Sequence, residues 1–181
     1  MALRILEKEG PDAVSMRRVA KAAGITPMAI YHHFADRKTL LTSITEQEFV
    51  RLLECIQAHP LRGSAAERLV TVMEGYLDYA LRRPRLFDYV FLQPRPGARR
   101  FPADFRARRS PTLNVVADEV AAAMRTGFLR KDDIWEVAFA LWAHVHGYVV
   151  MYRAARFDGS EKQFRALVRR SMWRFLHGLA A

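Results

Sequence analysis

The sequence predicts an all-α fold, and three observations carry that prediction. Apolar residues recur at i, i+3, i+4 and i+7 along most of the chain. No stretch alternates apolar and polar residues as a half-buried strand does. Helix-starting Ser, Thr, Asp and Pro, and helix-stopping Gly, bracket each apolar run. The 181 residues are 51% hydrophobic, enough for one sizeable core or for a small domain joined to a larger one.

The elements follow in order. Residues 2–9 form a short amphipathic helix stopped by Gly10-Pro11. Ser15 caps a second helix, Met16 to Ala23, with Val19, Ala20 and Ala23 inward and Gly24 closing it. Thr26 caps a third, with Pro27 at its first position, where a missing N–H costs nothing. It runs to about Phe34. Asp36 caps a long fourth helix from Arg37 to about Ala58. Ser64-Ala-Ala-Glu67 is a capping box opening a helix with Leu69, Val70, Met73, Tyr76, Leu77 and Ala80 on one side. Pro84 starts a short apolar helix, Leu86 to Leu92, and Pro94, Pro96, Gly97 and Pro102 mark an irregular Arg-rich loop. Ser110-Pro111 opens a helix ended by Gly127. Asp133-Ile-Trp-Glu136 has the pattern of a capping box before an apolar helix reaching about Arg156. Ser160-Glu-Lys-Gln163 is a third box, opening a last helix with Phe164, Leu167, Val168, Ser171, Met172, Phe175 and Leu179 at helical spacing.

Composition narrows the function classes. The formal net charge is +10, which invites a nucleic-acid reading. Its distribution tempers that, because residues 82–109 hold nine Arg against two Asp while residues 1–45 hold seven Lys/Arg against four Asp/Glu. The single Cys55 excludes a disulfide framework or a zinc ribbon within one chain. His32-His33 and His144-x-His146 lack the spacing that converges on one ion, so no metal or other cofactor is expected. The apolar run from Ile134 to Tyr152 contains Glu136, His144 and His146 and reads as a core helix before a membrane span. No secretory leader stands at the N-terminus, so the cytoplasm is the expected compartment. A Gly-rich phosphate loop, a nucleophile elbow and a zinc-protease pattern are all missing, so an enzyme is not expected.

Residues 15–41 carry the functional signal. Two short helices meet at a tight turn on Gly24, where glycine permits positive φ and close packing. Val19, Ala20, Ile25, Ile30 and Phe34 are expected to lock them together. The second of the two then has an outward face of Pro27, Met28, Tyr31 and His32, with Thr26 and Ala29 at its start. A short helix with a small, uncluttered N-terminus suits a major groove. Tyr31 can donate to a phosphate, His32 can reach a base or a phosphate, and Arg37 or Lys38 adds a cation nearby.

This stretch resembles the TetR (tetracycline-repressor) family of bacterial transcription regulators. The pattern is Val19-Ala20, Ala23-Gly24-Ile25, Ile30-Tyr31-x-His33-Phe34, Arg37 and Leu40-Leu41. The resemblance implies an N-terminal three-helix DNA-binding domain with a helix-turn-helix over residues 1–45, and a C-terminal helical ligand-binding and dimerisation domain over 46–181. It also implies that residues 27–33 form the recognition helix, with Thr26, Tyr31 and Arg37 on phosphates, Pro27, Met28, Ala29 and His32 facing bases, and His33 and Phe34 packing the motif. Members of that family begin several residues before Ala2, with a longer first helix and often a basic arm. The segment Leu141-Trp-Ala-His-Val-His-Gly-Tyr148 is similar to a Trp/His-Gly stretch in one class of those C-terminal domains.

The expected function is a repressor, cytoplasmic and homodimeric, released from a palindromic double-stranded DNA operator by a small effector. Met73, Tyr76, Phe87, Phe91, Met124, Trp135, Phe139, Trp142 and His146 are the candidate ligand lining, apolar or aromatic in character. The Arg surplus adds the option of an anionic ligand. The nearly all-round apolar helix before the last one, and the stripe on the last, call for a twin subunit. Val149, Tyr152, Phe164, Val168, Met172 and Phe175 are the candidates for that surface. Two alternatives stay open: a ligand-binding helical protein without DNA binding, and a small all-α enzyme.

Overall fold

The computed structural model describes residues 1–94 and 97–181. The described residues form helices and connecting turns, with one isolated antiparallel bridge, Leu129 to Ala180, and no strand. The chain divides into two compact units, Met1–Arg51 with Arg83–Arg95, and Leu52–Arg82 with Pro96–Ala181. The first unit thus takes in a stretch after Arg82 that the sequence reading assigns to the C-terminal part, and the division falls inside the long fourth helix.

The first unit holds α1 (Ala2–Glu9), α2 (Met16–Ala23), α3 (Pro27–His33) and most of α4 (Arg37–Gln57), with α6 (Pro84–Phe87) continuing into a π-helical turn at Asp88–Leu92. Local chemistry sets the boundaries. Ser15 Oγ accepts the Arg18 N–H at 3.3 Å, and Gly24 closes α2 at φ 69° in the left-handed region. Asp36 Oδ1 accepts the Thr39 N–H at 2.6 Å, which starts α4. Leu6, Val14, Val19, Ala20, Ile30, Leu40 and Ile44 make the core, completed by Leu86, Tyr89 and Val90. Two inward assignments need correction. Ala23 is exposed, and Ile25 is 42% exposed, because the chain has already turned at Gly24. The interior also contains a charge: the Glu48 side chain is fully buried, with Arg83 at 3.3 Å and Arg51 at 3.5 Å, and Arg83 also reaches Glu7 at 3.6 Å.

The second unit is built on α5 (Ala65–Arg82), most of whose residues are buried. It packs against α8 (Pro111–Arg125), α9 (Ile134–Arg153) and α10 (Glu161–Gly178). Gly75 makes the crossing with the end of α4 possible, since a Cβ there would stand 2.5 Å from Ile56 Cα and 2.9 Å from the Cys55 carbonyl. The Ser64–Glu67 and Ser160–Gln163 boxes form with both hydrogen bonds in place. The Asp133 box is one-sided. Asp133 caps the Trp135 and Glu136 N–H groups, while the Glu136 carboxylate lies 3.8 Å from Arg106. The Arg-rich loop contains a short helix, α7 (Ala103–Arg106), that its prolines mask in the sequence; Pro96 lies outside the described residues. α9 is long and apolar enough to cross a membrane by length and composition, and 28% of its apolar window is buried within the subunit. It packs on α5, α8 and α10, as a helix of a bundle does.

Candidate nucleic-acid interface and sensor unit

α3 presents its large side chains outward. Met28 is 70% exposed and Tyr31 50%, while Ile30, on the opposite face, is 3% exposed and anchors the helix in the core. Thr26, Pro27, His32 and Lys38 are exposed, and Ala29 is half-buried. Thr26 Oγ1 accepts the Ala29 N–H at 3.2 Å, so the threonine's first task is to start the helix. His33, expected to pack the motif, is exposed and widens the outward face, whereas Phe34 packs against the core as expected.

Arg37 sits differently from the sequence expectation of a phosphate anchor. Its Nε donates to the Val14 carbonyl at 2.7 Å and its Nη2 to the Pro11 carbonyl at 2.6 Å. The guanidinium fastens the start of α4 to the turn before α2 and so fixes how α3 is presented. Lys38 is the exposed cation next to it. Asp36 is held below its ordinary value, first by the Thr39 N–H and further by the Lys38 charge.

The ligand-lining candidates separate between the two units. Phe87 and Phe91 belong to the first, where Phe91 lies 5.1 Å from Phe87 and 5.8 Å from Phe49, centroid to centroid. In the second unit Met73 and Tyr76 are buried, and Met124, Trp135, Phe139, Trp142 and His146 are half-buried. The Tyr76 hydroxyl is 2.7 Å from His146 Nδ1. Burial pushes the tyrosine up and the imidazole down, so both are neutral. A hydrogen bond from Trp142 to Tyr76 opposes the upward shift of the tyrosine without cancelling it. Trp142 leads on to Phe139 at 5.3 Å, and Phe139 to Phe101 at 4.5 Å and Phe105 at 5.8 Å. The two aromatics of this wall from the 101–105 stretch are ones the sequence reading missed, because the surrounding prolines read as loop. Arg108 lies over Trp135, 5.8 Å from its ring centroid.

The dimer candidates require correction. Val149, Phe164, Val168 and Met172 are all 2% exposed or less within one subunit, so they cannot form its outer surface. Tyr152 stacks on Phe164 at 4.2 Å, and Phe175 lies 4.8 Å from His144. The reason is geometric: these residues mark the stripes of α9 and α10 that face their own subunit. The outward stripes are Ala140, Ala143, Gly147 and Met151 on α9, and Ala166, Arg170, Trp173 and His177 on α10. Trp173 and Gly147 are half-buried and the other six exposed.

Residues 1–44 match the family model for bacterial regulatory proteins, tetR family. Residues 69–175 match that for the tetracyclin repressor-like C-terminal domain. The HTH-type transcriptional regulator AcrR of Shigella flexneri is 44% identical over 46 residues, 25% of this chain and 21% of that protein. The HTH-type transcriptional repressor AcnR of Corynebacterium efficiens is 25% identical over 120 residues, 66% of this chain and 57% of that protein. The matched stretches thus span about a fifth and somewhat over half of those relatives' own lengths. A protein of unknown function from Rhodococcus sp. RHA1 superimposes with a TM-score of 0.82 at 25% identity, covering 99% of this chain and 92% of that one. The TetR family regulator PfmR from Thermus thermophilus gives 0.68 at 20% identity, covering 99% and 94%.

Proposed function

Because this chain belongs to the tetR family of bacterial regulatory proteins, we propose that it is a repressor whose α3 reads a palindromic operator and whose second unit responds to a small molecule. The observation that carries the reading is the outward placement of Met28 and Tyr31 on a helix anchored from behind by Ile30. Large apolar and aromatic side chains left in water on a seven-residue helix call for a surface to meet. Tyr31 and Lys38 then serve phosphates, and Met28, His32 and His33 lie against base edges. Arg37 acts as a positioning residue.

Two copies are needed, with reading helices about 34 Å apart to meet successive major grooves. The small-residue stripe of α9 and the Trp173 stripe of α10 are the proposed dimer surface. At Gly147 a Cβ would meet nothing within 4 Å, so the subunit itself gives no reason for that glycine. A ligand releases the operator only if it binds the DNA-incompetent conformer more tightly. Selection of bound duplexes from a random pool, followed by sedimentation at micromolar protein, tests the reading. Enrichment of a two-fold symmetric sequence by a dimer is expected. A monomer that still retains DNA, or a protein that retains no duplex at low salt, overturns it.

A further inference from the structure

The second unit contains a partly open cavity of about 180 Å³ between α5 and α10. Met73, Leu77, Val168 and Met172 form an apolar floor, each 2% exposed or less. Charges of both signs stand around it: Glu74 and Asp78 one turn apart on α5, Arg165 and Arg169 one turn apart on α10, and His59 beside them. The charges meet across the groove. Arg169 is 2.6 Å from Glu74, and Arg165 is 2.5 Å from Asp78.

The two pairs are not equivalent. Asp78 is 8% exposed and also takes Arg82 at 3.0 Å and His59 at 3.4 Å. Burial alone would raise its carboxyl; the Arg165 hydrogen bond and the charges of Arg165, Arg82 and His59 outweigh that and hold it below the ordinary value. Asp78 therefore stays ionised and committed. The Glu74–Arg169 pair is the outer one, with side chains 31% and 55% exposed, and such a pair opens at little cost.

An opened pair leaves one carboxylate and one guanidinium facing each other above an apolar floor. Arg165, a turn away, already holds Asp78 through Nη1 and Glu161 at 2.8 Å through Nε, which leaves its Nη2 to join Arg169 on a single carboxylate. A cavity of roughly 150 Å³ holds a benzene-sized molecule, so this one takes about seven non-hydrogen atoms, and the charged end of a slightly larger ligand stands at its open mouth. We propose that this cavity binds a free amino acid with an apolar side chain. Its carboxylate lies on Arg165 and Arg169, its ammonium on Glu74, and its side chain on the Met73–Met172 floor. A simple anion or a simple amine leaves one half of the opened Glu74–Arg169 pair unmatched. The site deepens the sensor reading and rests on it only for its regulatory consequence, since binding is measurable without DNA.

The test is calorimetric titration of the full chain with L-leucine and L-methionine, alongside 4-methylpentanoate and 3-methylbutylamine, which carry one charge each. At least one amino acid is expected to bind, with each half-molecule weaker by about tenfold or more, the usual loss when a charge-assisted hydrogen bond goes unmade. Glu74→Gln and Arg169→Met should each weaken the same amino acid by about tenfold, with circular dichroism and ligand-free DNA retention unchanged. Half-molecules that bind as well as the amino acid overturn the proposal. So does the absence of heat with both amino acids up to about 10 mM. If another compound then releases DNA, the site assignment fails and the regulator reading stands. If the amino acid binds a protein that never retains DNA, the reverse holds.

Discussion

The two units place their aromatic and polar side chains in opposite ways. In the first, a compact core of aliphatic residues with Phe87 and Tyr89 leaves Met28, Tyr31, His32 and His33 outside on one short helix. In the second, Tyr76, Trp142 and His146 are turned inward and bonded to one another, and ion pairs bridge α5 to α10. A reading surface reveals itself as large side chains with no core to join. The interior of the second unit holds polar groups withdrawn from water and satisfied by each other.

Glu48 is the exception in the first unit and gives the largest expected effect. Its carboxylate is fully buried and Arg83 stands 3.3 Å from it. Arg83→Met leaves that charge poorly compensated, which should cost about 3 kcal/mol in urea denaturation. Pairing it with Glu48→Met should recover most of the loss, because apolar replacement of both members of a buried pair is close to neutral. A single variant as stable as the parent would show that Arg83 is not needed to hold the buried carboxylate.

In the second unit the corresponding weak point is steric. Gly75→Ala puts a methyl group into the backbone of Ile56 and Cys55, and nothing there is a flexible side chain that could yield. Overpacking of this kind should cost about 2 kcal/mol in urea denaturation. An alanine variant of parental stability would mean that α4 and α5 separate freely.

The outward face of α3 should be neutral for stability and decisive for binding. Tyr31→Phe removes the proposed phosphate donor and is expected to cost about 1 kcal/mol in DNA affinity, equally on all operators. His32→Ala should instead change which sequences are selected, since a base contact discriminates by about 1–3 kcal/mol. Mobility shifts on a panel of operator variants separate the two. Equal losses everywhere from both substitutions would contradict the division of roles.

These differences also explain what the sequence made legible. The caps of α2, α3, α5 and α10 were readable because a Ser or Thr reaches only its own backbone three residues on. The reading helix was readable for the same reason: Gly24, Thr26-Pro27 and Tyr31 are near neighbours in sequence. The hold of Arg37 on the backbone was not legible, because Val14 and Pro11 lie 23 and 26 residues away. The burial of Val149, Phe164, Val168 and Met172 within one subunit was not legible either, because periodicity shows that α10 has an apolar stripe and not which body covers it. The cavity was invisible, since Glu74 and Arg169 are 95 residues apart and each looks like an ordinary solvated charge.

The smallest expected effect concerns pH and the inward histidines of the second unit. Burial lowers both His144 and His146; a backbone hydrogen bond at Ser171 opposes the shift of His144 without cancelling it. The unfolded chain takes up protons near the ordinary value of 6.5, whereas the folded second unit resists until lower pH. The unfolded state then binds more protons, so stability is complete above that value and declines as pH falls through it, until the folded imidazoles protonate in turn. Melting temperatures measured from about pH 7.5 down to 5.5 should therefore fall for the parent. They should fall less for the double variant His144→Gln, His146→Gln. A double variant whose melting temperature falls as steeply as the parent's would show that these two histidines are not what the second unit protects from protons.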